Sequence, residues 1–151
     1  MSFSVSAKTI NADPLRRAAD NPACGAVAVF EGVVRNHNEG RPVLRLEYEV
    51  YHPLAVSEGE AILAEARQRY EIAEAACVHR EGLLELGEVA VVVVVAAAHR
   101  DAAFRACRYI IDEAKRRLPI WKKEHYADGE SAWVNLLNPE SPPEPGHPHG
   151  C

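Results

Sequence analysis

The alternation of apolar and polar residues predicts the strands of this chain. In residues 43–51, Leu44, Leu46, Tyr48 and Val50 alternate with charged residues, which is typical of a strand with one buried face. Residues 89–97 form an unbroken apolar run rich in valine, as in a strand that is covered on both faces. We therefore expect the second strand to be central in a sheet.

Two longer segments have the spacing of amphipathic helices, at 53–70 and at 100–118. Pro119 ends the second helix. In it, Arg108, Asp112 and Arg116 lie four residues apart and predict ion pairs. The residues expected on the buried faces are Leu54, Ala55, Ile62, Leu63, Ala66 and Tyr70 in the first helix, and Phe104, Cys107, Ile111, Ala114 and Leu118 in the second.

The remaining elements are shorter. A helix is predicted at 14–20, strands at 26–35 and 76–80, and late strand or loop material near 133–137. Gly32 marks a bulge, 36–42 a loop and 81–88 a turn-rich connection. This order predicts an α+β two-layer fold in which helices cover one face of a mixed or antiparallel sheet. We expect one domain over 1–137, followed by a disordered tail at 138–151 that contains five prolines.

Positive charge is concentrated in one part of an acidic chain. Residues 99–123 carry eight Lys and Arg against three acids, whereas the rest of the chain carries nine against nineteen. A basic segment on a negative protein suits a small anionic substrate or an acidic peptide tail better than a long nucleic acid.

The composition also limits the location. No apolar run reaches the roughly 18 residues of a membrane helix, and residues 1–8 lack the basic and then apolar pattern of a secretory signal. Cytoplasmic residence is therefore expected, with Cys24, Cys77, Cys107 and Cys151 as reduced thiols.

Four basic residues form a candidate pocket. His99 and Arg100 follow the valine-rich strand, Lys115 lies late on the second helix, and Lys122 follows Pro119. Arg suits phosphate recognition, and a Lys crowded by other cations becomes reactive. The alternative is a solvated helix face, to which we assign Arg116, Arg117 and Lys123.

A set of short motifs carries a family resemblance. Each is weak alone, but together, in this order and spacing, they are specific. They are Gly32-Val33-Val34-Arg35-Asn36-His37-Asn38, Leu46-Glu47-Tyr48-Glu49, Val78-His79-Arg80-Glu81-Gly82, Gly87-Glu88, Ala98-His99-Arg100-Asp101-Ala102-Ala103-Phe104, Asp112-Glu113-Ala114-Lys115 and Pro119-Ile120-Trp121-Lys122-Lys123-Glu124. From about residue 25 to about residue 135, the chain resembles the large, catalytic subunit of molybdopterin synthase.

The resemblance implies a fold, partners and a reaction. The fold is an α/β hammerhead with an additional antiparallel β subdomain. The assembly is a homodimer that binds one small ubiquitin-like sulfur-carrier subunit per protomer, giving a heterotetramer. The carrier's C-terminal Gly-Gly thiocarboxylate supplies sulfur to cyclic pyranopterin monophosphate (precursor Z), which becomes the molybdopterin dithiolene. The resemblance implies no metal and no redox cofactor.

The resemblance also implies roles for five residues. Lys115 is the leading catalytic residue and Lys122 assists it, while Arg35, His99 and Arg100 line the site for the phosphate and pterin. Whether Lys115 is a nucleophile or a proton-transfer group stays open. The segment 51–54 and the Pro-rich tail depart from the family pattern.

Other interpretations remain open. The chain could be a non-catalytic binding module for an acidic C-terminal peptide tail, whereas its net charge of −5 argues against a single-stranded nucleic-acid binder. A metal site at His147, His149 and Cys151 is disfavoured because no spacing there fixes a geometry. Turn chemistry accounts for Asn36 and Asn38, and His79 is as typical of a structural group as of a site residue.

Overall fold

The structure is a computed structural model that describes residues 1–135. Three predictions lie outside the described residues. They are the tail at 138–151, the last two residues of the predicted domain (136–137), and the candidate metal ligands of the tail. The elements in chain order are β1 (Ser2–Ser6), α1 (Ala12–Ala18), β2 (Ala26–Val33), β3 (His37–Asn38), β4 (Arg41–Val50), α2 (His52–Arg69), β5 (Glu74–Arg80), β6 (Gly82–Glu85), β7 (Val89–Ala97), α3 (Arg100–Arg117), β8 (Ile120–Tyr126) and β9 (Ser131–Asn135).

The valine-rich strand β7 is an inner strand of the first sheet, as predicted. The sheet has the order β1-β5-β7-β2, with β1 parallel to β5 and the other two pairs antiparallel. Residues 91–97 are fully buried because their side chains alternate between two apolar clusters. The register of β2 against β7 shifts between Gly32 and Val33, which confirms the bulge.

Helices cover both faces of this sheet. The long helices α2 and α3 pack on one face, against the cluster that contains Val91, Val93 and Val95. The short helix α1 and its flanking residues Ile10 and Ala19 lie over Val92 and Val94 on the other face. The prediction that helices cover only one face is therefore wrong, since a strand that is apolar on both sides needs cover on both sides.

A second, antiparallel sheet stands beside the first. Its order is β3-β4-β8-β9, and β6 also pairs with β4. This confirms the additional antiparallel subdomain. The sequence analysis missed β1, β3, β6 and β8. Strand β3 falls in the predicted loop at 36–42, and β6 falls in the predicted connection at 81–88. Its four residues are too few to display a period, and its pairing with β4 defines it.

Most of the predicted buried positions are buried, but two are wrong. Leu54 is exposed, and so is Phe104, with 66% of its surface accessible. The buried face of α3 instead passes through Ala103, Ala106 and Ile110. Arg108 pairs with Asp112 at 2.9 Å as predicted. Arg116 pairs with Glu113 at 2.8 Å rather than with Asp112.

Ion pairs and hydrogen bonds join α2 to α3 at their solvent side. Arg117 binds Glu65 through two nitrogens, at 2.7 and 2.9 Å, and also Glu58 at 3.1 Å. The hydroxyl of Tyr109 donates to Glu65 at 2.7 Å. Hydrogen bonds from Arg117 and then Tyr109 lower the pKa of Glu65 to about 2, from an ordinary value of 4.5.

The lowered pKa of Glu65 predicts an acid-dependent contribution to stability. A carboxyl whose folded-state pKa lies below its unfolded value stabilises the fold above the unfolded value and loses that contribution as the pH falls through the folded value. We expect Glu65→Gln to lower the melting temperature near neutral pH. The difference from wild type should shrink between pH 4.5 and about pH 2. Glu71→Gln, at an exposed position on the connection after α2, is the control, and an equal pH dependence in both variants would contradict the prediction.

Gly59 lets the first strand lie close to α2. A Cβ built at Gly59 would come within 2.1 Å of Cγ of Phe3 in β1. Gly59→Ala should therefore destabilise the protein by about 1–3 kcal/mol through overpacking, although alanine is the better helix former by about 1 kcal/mol. In a Phe3→Ala background the same change should cost little, and chemical denaturation of the four proteins in this double-mutant cycle measures the coupling. Additive effects would exclude the steric explanation.

Candidate active site

Lys122 is buried in the second sheet and paired with a carboxylate. The segment 120–126 is extended as β8, so residues two apart share a face, and Lys122 and Glu124 both point inward. Their side chains are 3% and 1% exposed, and Nζ of Lys122 lies 3.2 Å from Oε1 of Glu124. A buried charge is stable only with such a partner. The pair is therefore a buried part of the protein interior and not a surface ion pair.

The hairpin of β3 and β4 brings two more groups to this pair. Nδ2 of Asn38 donates to Oε1 of Glu124 at 2.7 Å, and Oδ1 of Asn38 accepts from Arg35 at 3.4 Å. The contacts form a continuous polar chain, which runs from Arg35 through Asn38 and Glu124 to Lys122. Two of the predicted site residues, Arg35 and Lys122, are thus connected.

Lys115 lies half-buried in the last turn of α3. Its charge acts on two buried groups of β5, Cys77 and His79. Burial first, and then the charge of Lys115, lower the pKa of His79 to about 3. Burial raises the pKa of the Cys77 thiol to about 12, while Lys115 acts in the opposite direction. Both residues are therefore neutral near pH 7.

A ring contact joins the surroundings of Lys115 to those of Lys122. His79 is 3% exposed, and its Nδ1 donates to the carbonyl of Arg80 at 2.7 Å, because a carbonyl can only accept. The edge of its ring meets Tyr48 at 4.9 Å between centroids. Tyr48 in turn is the cross-strand neighbour of Lys122. The structure thus connects Lys122 to Arg35 through Asn38 and Glu124, and to His79 through Tyr48, in one cluster. The charge of Lys115 acts on the same His79.

His99 and Arg100 lie elsewhere in the chain. They stand at the start of α3 and line a cavity of about 470 Å³ with Gly25, Ala26, Ala98 and Asp101. Gly25 allows this cavity wall to close, since a Cβ there would lie 2.9 Å from the carbonyl oxygen of Ala98. Arg100 and Lys115 are fifteen residues apart on one helix, which is a rise of about 22 Å. One chain alone therefore does not form the predicted pocket of four cations.

Most of the other cations of the basic segment have local carboxylate partners. Arg105 pairs with Asp101, Arg108 with Asp112, and Arg116 with Glu113. Lys123 points to the outer face of the second sheet, with its ammonium 5.3 Å from the ring centre of Trp133. The assignment of Arg116 and Lys123 to a solvated surface agrees with these contacts, whereas Arg117 joins α2 to α3.

Sequence reasoning missed Glu124, Asn38 and Tyr48 as members of this cluster. The signal for Glu124 was present, because strand alternation after Pro119 places it on the same face as Lys122. Tyr48 lay in a predicted strand with one buried face. The contact between Asn38 and Glu124 spans 86 residues and has no local signal.

Neither a metal-binding cluster nor a membrane-spanning helix occurs among the described residues. Residues 1–135 contain no group of three or more His, Cys, Asp or Glu side chains that could hold a metal ion. None of the three helices described there combines the length and the apolar character that crossing a membrane requires.

Comparisons with known proteins agree with these motifs and this fold. Residues 5–117 match the family model described as MoaE protein. A relative from Nostoc sp., named molybdopterin synthase catalytic subunit, is 40% identical over 136 residues, which are 89% of this chain and 82% of the relative.

Solved structures give the same result. The structure of molybdopterin synthase from Staphylococcus aureus has a TM-score of 0.83 at 35% identity and covers 88% of this chain and 96% of that one. A complex of subunits 1 and 2 of molybdopterin-converting factor from Helicobacter pylori has a TM-score of 0.70 at 19% identity, covers 91% of each chain, and shares the fold. With a family model that matches most of its length and a relative at 40% identity, the chain belongs to the MoaE protein family.

Proposed function

We propose that this chain is the catalytic subunit of a molybdopterin synthase. It transfers sulfur from the thiocarboxylated C-terminus of a small carrier subunit to precursor Z, and so forms the molybdopterin dithiolene. The observation that carries the proposal is the chain of contacts that joins Arg35 to Lys122 through Asn38 and Glu124. The chain continues from Lys122 to its cross-strand neighbour Tyr48 and on to His79, whose pKa is lowered by burial and then by the charge of Lys115. Relatives that are named for this activity support it.

The charges of the cluster suit the two substrates. A thiocarboxylate and a cyclic phosphate are both anions, and fixed cations in a site with little water stabilise negative charge strongly. Arg35 would bind the phosphate, since a guanidinium offers paired donors to it. Lys115 would act at the thiocarboxylate and Lys122 would assist.

Each transfer breaks the carbon–sulfur bond of the carrier's thiocarboxylate and a carbon–oxygen bond of the pterin, and it forms a carbon–sulfur bond on the pterin. A water molecule supplies the oxygen that completes the carrier's carboxylate. The carrier leaves as a carboxylate, so one carrier supplies one sulfur and a dithiolene requires two. Lys115 serves as a nucleophile, through a transient acyl-lysine, or as a proton-transfer group. Mass spectrometry of the enzyme during single turnover separates the two roles, since only the first adds the mass of the carrier.

The partner in this proposal is a small ubiquitin-like subunit that ends in Gly-Gly. The complex of two converting-factor subunits from Helicobacter pylori supports a two-subunit assembly, because one of its chains shares this fold. Glycine at the carrier's end suits a narrow channel, since it has no Cβ. The cytoplasmic location expected from the sequence belongs to the same proposal.

A homodimer would supply the remaining cations. His99 and Arg100 stand about 22 Å from Lys115 within one chain, so they reach it only from a second copy. In a twofold dimer, the start of α3 in one protomer can lie beside the end of α3 in the other protomer. The symmetry then produces this contact twice. Two composite sites per dimer follow, each with one carrier.

The proposal predicts that Lys115→Ala loses turnover. With thiocarboxylated carrier and precursor Z, dithiolene formation measured by mass spectrometry should fall about 100-fold or more, as expected on losing a group that acts at the reacting atoms. Lys123→Ala, which changes an outward-facing lysine, is the matched control and should stay near wild type. Near-normal turnover by Lys115→Ala would contradict the role. Carrier binding by the wild type without any sulfur transfer would favour the peptide-binding alternative.

The composite site predicts complementation between two inactive variants. In the composite site, one protomer supplies Lys115 and the other supplies Arg100. In a dimer of one Lys115→Ala chain and one Arg100→Ala chain, both changes fall in the same site, so the other site is intact. After subunit exchange in an equal mixture, activity should rise to about one quarter of the wild-type value, since half of the dimers are mixed. Activity no higher than the mean of the two separate variants would place all five residues in one protomer's site.

A further inference from the structure

Asn38 makes the two contacts that join the hairpin to the buried ion pair. Its Nδ2 lies 2.7 Å from Oε1 of Glu124, and its Oδ1 lies 3.4 Å from a guanidinium nitrogen of Arg35. The same Glu124 oxygen receives Lys122 at 3.2 Å. One amide therefore stands between the residue expected to bind phosphate and the lysine expected to assist catalysis.

The chemistry of the two neighbours leaves a single orientation for this amide. A carboxylate can only accept hydrogen bonds, and a guanidinium can only donate them. Asn38 must therefore turn its NH₂ toward Glu124 and its oxygen toward Arg35. An aspartate has the same shape but lacks the donor, and an alanine lacks both groups.

The turn of the hairpin does not account for this side chain. The positive φ angles are those of Glu39 (55°) and Gly40 (76°), so these two residues form the turn. Asn38 precedes them in β3 and pairs with Arg41. Its side chain bonds to β8, 86 residues away, rather than to the local backbone. We expected Asn38 to serve the turn, but its side chain bonds to Arg35 and Glu124 instead.

We propose that Asn38 is a positioning residue of the sulfur-transfer site, where its amide holds Arg35 and the Glu124–Lys122 pair in one fixed arrangement. This inference rests on the proposed function. Through Glu124, Asn38 sets where the Lys122 ammonium lies, and through its oxygen it sets the direction of the Arg35 guanidinium. It acts through these two residues.

The charged and titratable groups around Asn38 come from two elements. From β8 these are Glu124, Lys122 and Tyr126, and the pKa of Tyr126 is raised to about 12 by burial and then by Glu124. From the hairpin these are Arg35, Glu39 and Arg41, the last with its guanidinium 3.6 Å from the Tyr126 ring centre. A new carboxylate at position 38 would therefore lie among the carboxylates of Glu124 and Glu39 and several cations.

The test compares Asn38→Asp with Asn36→Asp. Both changes add one carboxylate to the same hairpin, but Asn36 is exposed and its side chain bonds to its neighbour His37. At about pH 8 the carboxylate introduced by Asn38→Asp and the carboxylate of Glu124 repel each other. The kcat for dithiolene formation should then fall about 10- to 100-fold, as for a small misplacement of a reacting group.

The pH profile separates positioning from simple damage to the fold. As the pH falls, one proton shared by the two carboxyls restores a donor between them, so the activity of Asn38→Asp relative to wild type should rise toward about pH 5.5. Asn36→Asp should keep a constant ratio. A profile of Asn38→Asp that follows Asn36→Asp at every pH, or an equal loss at every pH with a lowered melting temperature, would overturn the inference.

A second measurement needs no turnover. Competitive acetylation with acetic anhydride, read by mass spectrometry with exposed Lys8 as the reference, reports how well Lys122 is held. Lys122 should react several-fold faster in Asn38→Asp and Asn38→Ala than in wild type and Asn36→Asp. If the wild type forms no product, the proposed function fails. The labelling then still tests whether Asn38 holds Lys122 in place. Unchanged protection of Lys122 in both Asn38 variants would overturn its positioning role.

Discussion

Burial of the Lys122 ammonium is the constraint on which the site depends. Removing such a charge from water costs several kcal/mol unless a partner compensates for it. Glu124 is that partner at 3.2 Å, and it also needs a donor from Asn38 because its own charge is buried. This contact fixes the position of the hairpin of β3 and β4 relative to β8. The hydrogen bond between Arg35 and Asn38 then fixes the position of the Arg35 side chain. A single buried charge thus links two elements that are distant in sequence.

The first sheet acts as the rigid support for the other side of the site. Strand β7 is buried on both faces and is held between β5 and β2, so the face of β5 that carries Cys77 and His79 has little freedom. Helix α3 packs over this sheet with Lys115 near one end and Arg100 at the other. The length of the helix separates the two groups of cations. The same packing that stabilises the protomer thus holds the two groups of cations apart.

The charge of the basic segment is less available than its composition indicates. Ion pairs three or four residues apart neutralise Arg105, Arg108 and Arg116 on the surface of α3. Arg117 binds carboxylates of α2 and joins the two helices. The residues in the cluster differ from these by their burial and by their partners from other elements. Local ion pairs therefore separate the arginines that stabilise the helices from the basic residues of the candidate site.

The sequence by itself determined the elements with a long, regular pattern and the family. The strands β4 and β7, both long helices and the bulge at Gly32 follow from side-chain periodicity and backbone chemistry, which are local properties. The resemblance carried by motifs in a fixed order also pointed to Arg35, Lys115 and Lys122, whose roles remain part of the proposed function. Only the tertiary structure decided that β6 and β8 flank β4, that Phe104 is exposed, and that Arg100 lies far from Lys115. It alone joined Asn38 to Glu124, because strand register and helix packing bring together residues that no local pattern relates.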